Sequence, residues 1–188
     1  MSDITSQKLP VKLPEKPKAG LYVDDSNLYH RGKEAGWKVD YKKLYNWVAK
    51  RNIIVYAKYF IGMPAWEPAK TINKGLAEYY EKIGYEVIKK PLKRIKDAGR
   101  NKCNFDVEMH EEIRKDLAEV DIIYLASGDS DFMATKAAVL KAGKRIKFMA
   151  FKNNCAWEIR ESWHIFLDDI REQVERGPVY SAEVGVEK

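Results

Sequence analysis

Acidic side chains follow two apolar segments of this chain, at the point where each segment ends. The segment AGLYVDD ends in Asp24 and Asp25, and Asn27 follows shortly after. The segment VDIIYLAS leads into the motif SGDSD, which supplies Asp129 and Asp131. In open α/β sheets, ligands lie outside the carboxyl ends of the strands. If the two segments are neighbouring strands, at least three carboxylates therefore converge at one edge of the sheet.

The chemistry of these carboxylates favours a hard divalent cation. Like charges held within several ångströms repel one another and raise each other's pKa, and a cation relieves that repulsion. Oxygen ligands with few nitrogens or sulfurs suit Mg²⁺ or Mn²⁺. Such an ion can polarise a phosphate and lower the pKa of a bound water. We expect Asp24, Asp129 and Asp131 to bind the ion, with Asp106, at the start of a predicted helix, as a further ligand.

Helix capping is the competing interpretation of these acids. Asp25, Asp106 and Asp129 each stand where a predicted helix begins, and Asp is a common residue at that position. For any one of them, capping explains the residue as well as metal binding does. Capping does not explain Asp129 and Asp131 together, because one helix start needs one cap and GDSD supplies two acids.

Strands and helices alternate along most of the chain, as hydrophobic periodicity and turn residues indicate. The predicted strand DIIYLAS is continuously apolar, which requires cover on both faces and therefore favours a parallel sheet. The predicted fold class is α/β, a three-layer sandwich with a central, mainly parallel sheet. We expect one domain over residues 19–176, between flexible tails at residues 1–18 and 177–188.

The positive charge of the chain is concentrated in one segment. The net charge is +6, and residues 89–102 alone carry seven cations and one acid, so the rest of the chain is neutral overall. This segment, predicted as a loop beyond the third strand, would attract a polyanion. A solvated charged surface explains the same residues equally well. The cations predicted to make the contact are Lys93, Arg94, Lys96, Arg100 and Lys102.

Other features narrow the class of protein. No apolar run is long enough to span a membrane, and the N-terminal residues lack the apolar stretch of a signal peptide, so we expect a cytoplasmic protein. Cys103 and Cys155 are far apart and outside any CxxC pattern, which argues against a disulfide framework or a structural zinc site. Trp47 and Trp163 are predicted in the core. A homodimer remains open.

Four motifs of the chain resemble the NYN family, a branch of the PIN-like nuclease superfamily. They are YVDDSNL (22–28), GYEVIKKPLK (84–93), KCNFDVEMHEEI (102–113) and SGDSDF (127–132). The resemblance implies a parallel sheet with the strand order 3-2-1-4-5, which makes the first and fourth strands neighbours. It also implies cleavage of RNA that depends on Mg²⁺ or Mn²⁺, with an endonuclease as the expected type. The polyanion expected at the basic segment is then RNA, and the five cations from Lys93 to Lys102 are the predicted RNA contacts.

The resemblance implies a role for each polar residue of these motifs. Four acids match the metal-binding acids of the family, and an Asn and a Ser match residues that contact water or phosphate. In chain order, the predicted catalytic residues are Asp24, Asn27, Asp106, Ser127, Asp129 and Asp131, of which the four Asp residues are the predicted metal ligands.

Two places depart from the pattern of the family. Asp25 stands where the family usually has a small or uncharged residue. Around Asp106 the spacing of the motif is shifted, and Glu112 stands where the family has a second Asp. Glu108 and His110 therefore remain open as substitutes for Asp106.

The predicted function is that of a metal-dependent ribonuclease, in which water attacks a phosphodiester in line and leaves a 5′-phosphate and a 3′-hydroxyl. The alternative is an RNA-binding or adaptor protein on a nuclease-like fold, with weak or no catalysis, which the extra Asp25 and the shifted motif would fit. A phosphoreceiver domain fits poorly, because its third strand would end in a lone Asp and here it ends in Lys89 and Lys90.

Overall fold

Eight strands are present in the computed structural model, which describes residues 16–95 and 100–177. In chain order they are β1 (Lys18–Asp24), β2 (Ile53–Met63), β3 (Glu86–Pro91), β4 (Lys93–Ile95), β5 (Arg100–Lys102), β6 (Ile122–Ala126), β7 (Arg145–Ala150) and β8 (His164–Phe166). Six of them form one sheet in the order β3-β2-β1-β6-β7-β8, and every pair of neighbours is parallel. The predicted order 3-2-1-4-5 is confirmed, and β8 adds a sixth strand beyond the fifth.

Seven helices connect the strands in the described ranges. They are α1 (Asp25–Ala35), α2 (Tyr41–Ala49), α3 (Ala69–Ile83), α4 (Asp106–Asp116), α5 (Met133–Lys141), α6 (Trp157–Arg160) and α7 (Arg171–Val174). The side chain of Asp40 caps α2 by accepting the backbone N–H groups of the first turn. Gly36 and Gly84 end α1 and α3 in the left-handed conformation that glycine adopts without a steric penalty. Within these ranges, no helix is both long and apolar enough to cross a bilayer.

The predicted three layers are confirmed by the way in which strand side chains alternate between two cores. On β1, Leu21 and Val23 face a core shared with α1, α2 and α3. Tyr22, between them, faces a second core shared with α4, α5 and α6. Successive residues of a strand point to opposite faces, so a strand buried on both faces must be apolar throughout. The continuous apolar run of β6 follows from this double cover.

The basic segment beyond β3 was expected to be a loop, and this expectation is wrong. Strands β4 and β5 pair antiparallel, with Lys93 opposite Lys102 and Ile95 opposite Arg100, and form a two-stranded hairpin outside the main sheet. Short charged strands lack the apolar alternation by which strands are recognised in a sequence. Lys96 lies outside the described residues, as do residues 1–15 and 178–188, so the predicted tails and domain boundaries stay predictions.

The two tryptophans predicted in the core have different surroundings. Trp47 is buried, as expected. Trp163 is 49% exposed, so the prediction for this residue is wrong. Its ring packs against the Lys147 ammonium, with Nζ 3.8 Å from the ring centroid. Because Trp163 directly precedes β8, the edge strand of the sheet, one side of its ring remains open to solvent.

A buried ion-pair network attaches α4 to the sheet. Lys58 on β2 is only 4% exposed, and its Nζ lies 2.7 Å from Asp116 Oδ2 and 2.6 Å from Glu112 Oε2. The Tyr22 hydroxyl donates a hydrogen bond of 2.7 Å to the same Asp116 oxygen. These contacts hold the second half of α4, and they thereby set where Asp106, at its first position, lies relative to the sheet.

Candidate active site at the carboxyl edge of the sheet

Asp24 is the last residue of β1 and the cap of α1, so its carboxylate lies where the strand turns into the helix. Its Oδ1 accepts the backbone N–H of Asn27 at 3.1 Å. Its Oδ2 accepts the hydroxyl of Ser127 at 3.1 Å. The residue is only 8% exposed. The sequence thus places a nearly buried carboxylate at the carboxyl edge of the sheet, in contact with the next strand.

The end of β6 lies beside the end of β1, as the strand order requires. Ser127 is fully buried, and besides donating to Asp24 it accepts the backbone N–H of Asp129 at 3.3 Å. The backbone N–H of Gly128 donates to Asn27 Oδ1 at 3.1 Å. Asn27 and Ser127 therefore join the two strand ends to each other and fix the distance between the acids that follow them.

Asp129 caps the 3-10 turn Ser130–Phe132 that precedes α5, and Asp131 is the second residue of that turn. Asp129 Oδ1 accepts the backbone N–H of Asp131 at 3.1 Å, which is the capping contact that the alternative interpretation expected. Asp24 makes a similar contact. An ionised carboxylate offers about four lone-pair sites, so one such contact leaves room for a metal or a water.

Asp106 is the first residue of α4. The cap residue of this helix is Phe105, which makes no side-chain cap contact, and Asn104 Oδ1 accepts the Asp106 backbone N–H at 2.8 Å. Partial burial raises the pKa of Asp106 above its ordinary value, and the negative charges of Asp129 and Asp131 raise it further. Asp106 is thus within electrostatic range of Asp24, Asp129 and Asp131, and we call these four carboxylates the acid cluster.

The electrostatics of the acid cluster are most unfavourable at Asp24. Burial raises its pKa from 3.8 to about 6, and repulsion by Asp106 and Asp25 adds to this rise. The hydrogen bonds from Asn27 and Ser127 act in the opposite direction, because they stabilise the charged form. The rise remains after these two contacts have acted. Near neutral pH, the Asp24 carboxylate is therefore ionised at a position where burial and the neighbouring acids disfavour its charge.

The acid cluster differs from the other carboxylates around α4 in having no cationic partner among the side chains that the structure describes. Glu108 pairs with Lys90, and Lys58 pairs with both Glu112 and Asp116. None of the described ion pairs involves an acid of the cluster. Equally, within residues 16–95 and 100–177, no three His, Cys, Asp or Glu side chains are already arranged as a finished metal-binding group.

The residues that the sequence left open have other contacts. Glu108 and Glu112 hold lysines, and His110 Nδ1 lies 2.9 Å from the Thr135 hydroxyl. Asp25 turns away from the cluster and accepts the Tyr41 hydroxyl at 3.1 Å, and burial raises its pKa. These contacts favour Asp106 over Glu108, His110 and Glu112 as the fourth acid.

The predicted RNA-binding residues lie on the β4–β5 hairpin, apart from Lys96, which is outside the described residues. The hairpin follows β3 and so begins from the same carboxyl edge of the sheet as the acid cluster. Their contact with RNA stays a prediction. The four hairpin residues are Lys93, Arg94, Arg100 and Lys102.

A cavity of about 530 Å³, which we call the side cavity, opens beside the acid cluster. Asn27 and Arg31 of α1 line one wall, residues 128–130 the floor, and residues 154–156 the other wall. Sequence reasoning missed Arg31. Its spacing of four from Asn27 was an available signal, because residues at i and i+4 lie on the same face of a helix.

The match to known proteins covers most of the chain. The family model of the NYN domain matches residues 18–171, from the first residue of β1 to the first residue of α7. The chain belongs to the NYN domain family. The NYN domain has a PIN-like nuclease fold, and the resemblance seen in the four sequence motifs is thereby confirmed.

Two individual proteins extend the comparison. The low amplitude and bright protein LabA of Synechococcus elongatus is 26% identical over 165 residues, which cover 83% of this chain and 87% of LabA. A protein of unknown function from Vibrio parahaemolyticus has a similar structure, with a TM-score of 0.73 and 21% identity over 88% of this chain and 99% of that one. At this identity the second likeness shows the fold alone.

Proposed function

We propose that this NYN-domain protein is a metal-dependent ribonuclease whose active site is the acid cluster. The observation that supports the proposal is the accumulation of four carboxylates at the carboxyl edge of the sheet without a described cation beside them. By contrast, Glu112 and Asp116, which attach α4 to the sheet, are neutralised by Lys58. Carboxylates that repel one another without a cation between them lower the stability of the fold. Groups of this kind are expected at functional sites.

The donor set of the cluster fits Mg²⁺ or Mn²⁺. It consists of carboxylate oxygens, with the Asn27 amide and the Ser127 hydroxyl nearby, and it contains no thiolate or imidazole. The acids are not yet arranged as a finished ligand group, so their side chains would have to turn toward a common point. Asp131, the exposed middle residue of the turn, has the greatest freedom to do so.

In the proposed mechanism, Asp24, Asp106, Asp129 and Asp131 would hold the metal. A metal bound there would neutralise charge on the phosphate and lower the pKa of an attacking water. Ser127 orients Asp24 by donating to its carboxylate, and Asn27 holds the Gly128 backbone by accepting its N–H. These two contacts fix the positions of the ligands relative to one another. The proposed reaction is hydrolysis, in which water forms a bond to phosphorus and the 3′-oxygen leaves with a proton.

RNA as the substrate is supported by the family and by the charge of the hairpin. An RNA strand bound at the acid cluster would also contact the cations of the basic segment. The predicted contacts are Lys93, Arg94, Lys96, Arg100 and Lys102. Phosphate contacts of this kind release counterions, so binding should weaken steeply as salt increases. Such contacts position a nucleic acid without reading its sequence.

The proposal is tested by incubating the purified protein with single-stranded and with structured RNA, in Mn²⁺, in Mg²⁺ and in EDTA. We expect cleavage with metal, no cleavage in EDTA, and a loss of about 100-fold or more in Asp129→Ala. Glu78→Ala removes an exposed acid of α3 and serves as a control that should cleave normally. Mass spectrometry should find 5′-phosphate and 3′-hydroxyl ends, whereas cyclic phosphate ends would reveal a metal-independent contaminant.

The alternative function is RNA binding without catalysis. The lack of a finished ligand group among the described residues favours it. Tight RNA binding without cleavage in any of the metals would establish this alternative and reject the ribonuclease. Cleavage that is lost in both EDTA and Asp129→Ala would reject the alternative.

A further inference from the structure

The side cavity adjoins the acid cluster, since Asp129 belongs to both and the Asn27 backbone N–H donates to Asp24. Its volume of about 530 Å³ falls within the range of about 300–1,000 Å³ that is typical of ligand sites. The lining is mostly polar and comes from α1, from the turn after β6 and from the loop between β7 and α6. A substrate held at the acid cluster would therefore extend into this space.

The loop between β7 and α6 is held in place by hydrogen bonds to both other walls. The Ala156 backbone N–H donates to the Gly128 carbonyl at 3.2 Å. The Asn154 amide donates to Glu34 Oε2 on α1 at 2.8 Å, and Asn154 itself has a left-handed φ of 51°. Arg160 donates to the Cys155 carbonyl at 3.3 Å and to the Lys152 carbonyl. The cavity is thus formed before any ligand arrives, which reduces the ordering cost of binding.

The cavity lining includes the cationic Arg31 as well as the acid Asp129. The Arg31 guanidinium is half-buried and pairs with Glu34 at 3.2 Å. Arg31 and Cys155 line the same cavity, and the Arg160 guanidinium donates to the Cys155 carbonyl. A guanidinium presents several donors in a plane and matches the oxygens of a phosphate.

A large exposed aromatic side chain follows the cavity wall directly. Trp157 comes after Ala156, opens α6 and is 68% exposed. Helix α6 packs against the turn Ser130–Phe132, which carries Asp131. Nucleobases stack on exposed tryptophan rings in single-stranded complexes.

We propose that the side cavity binds one unpaired nucleotide of an RNA strand that lies across the acid cluster, with its phosphate against Arg31 and its base stacked on Trp157. This inference rests on the proposed function for the position of the strand. A base in a duplex is covered by its neighbours and cannot stack on Trp157, so the site selects RNA that is single-stranded next to the cleaved bond.

The inference is tested by RNA binding under conditions that prevent cleavage. The affinity of the full chain for a fluorescent 12-nucleotide single-stranded RNA is measured in EDTA and in Ca²⁺. Arg31→Ala and Trp157→Ala should each weaken binding by roughly 10-fold, and Trp157→Phe should keep most of the affinity, since phenylalanine also stacks. Trp163→Ala removes another exposed tryptophan, at the amino end of β8, and should bind normally.

An abasic scan of the same RNA gives the decisive comparison. At one position, removal of the base should weaken binding to the wild type about as much as Trp157→Ala does, and it should not weaken binding to Trp157→Ala any further. Unchanged affinity in Arg31→Ala and Trp157→Ala, or no binding by the wild type, would overturn the inference. If the variants lose affinity as expected but the wild type cuts no RNA in Mn²⁺, nucleotide binding in the side cavity is supported and the ribonuclease proposal is rejected.

Discussion

Replacing Asp24 by Asn should make the metal-free protein more stable, although it removes a residue of the proposed active site. Asn keeps the shape of the side chain and can still accept the Asn27 N–H with its carbonyl oxygen. The amide group then faces the Ser127 hydroxyl, which can rotate to accept instead of donating. The substitution therefore removes the buried charge and preserves most of its contacts.

The magnitude follows from the pKa of Asp24. The folded-state pKa of about 6 lies above the ordinary value of 3.8, so the folded protein keeps this proton over a pH range in which the unfolded chain has lost it. The free energy of unfolding consequently falls as the pH rises through that window. Above it, the ionised carboxylate lowers the free energy of unfolding by roughly 3 kcal/mol at about 1.36 kcal/mol per pKa unit.

The assay is chemical or thermal unfolding in EDTA at a series of pH values. At about pH 8, the free energy of unfolding of Asp24→Asn should exceed that of the wild type by up to roughly 3 kcal/mol. For a chain of this size, that corresponds to a rise of roughly 6–12 °C in Tm. Near pH 3.5 the two proteins should be about equal, because Asp24 is then protonated in both states. Mn²⁺ should raise the Tm of the wild type and raise that of the variant less.

Asp40→Asn provides a matched control. Asp40 caps α2 as Asp24 caps α1, but it lies outside the acid cluster, and Asn is an equally good cap. We expect this variant to be within about 0.5 kcal/mol of the wild type at every pH. The electrostatic reasoning is refuted if Asp24→Asn is less stable than the wild type at pH 8 in EDTA, or if its advantage does not shrink with acidification.

Three further substitutions test the supports of the site. Lys58→Met should lower the free energy of unfolding in urea by about 3–5 kcal/mol, because it leaves the buried Asp116 carboxylate without its cation, whereas Glu112 keeps Lys115. A change below about 1 kcal/mol would contradict the buried network. Gly32→Ala should lower the free energy of unfolding by about 1–3 kcal/mol, because a Cβ there would lie 2.6 Å from the Trp37 carbonyl oxygen. An unchanged free energy of unfolding would show that α1 can shift freely. Ser127→Ala should cost about 1 kcal/mol in the same assay and raise the pKa of Asp24 further, and an unchanged pH dependence of stability would contradict this.

Much of the fold could be predicted because its signals are local. The apolar run of β6 is buried on both faces, and the acids after β1 and β6 mark the ends of the two strands. The hairpin β4–β5 could not be predicted, since its strands are short and charged and depend on pairing with each other. Trp163 was placed wrongly because hydrophobicity does not tell an edge strand from a central one.

The site was predicted in part for the same reason. The sequence identified acids at strand ends, and in the structure Asp106 lies within electrostatic range of Asp24 and of Asp129. It could not show that Lys58 neutralises Glu112, because the two residues are far apart in the chain. A lysine inside the apolar strand β2 was nonetheless a usable signal, since a buried ammonium group must have a partner.

The attachment of α4 at both ends limits how metal binding can proceed. Near its start, Glu108 is held by Lys90 of β3, and in its second half Asp116 is held by Lys58 of β2. A slide of one helical turn, about 5.4 Å, would break both pairs at once. The acids must therefore close around an ion by torsional rotation of short side chains over a fixed backbone. Ion capture should accordingly leave backbone amide exchange along α4 almost unchanged, with any added protection confined to the turn that bears Asp129 and Asp131.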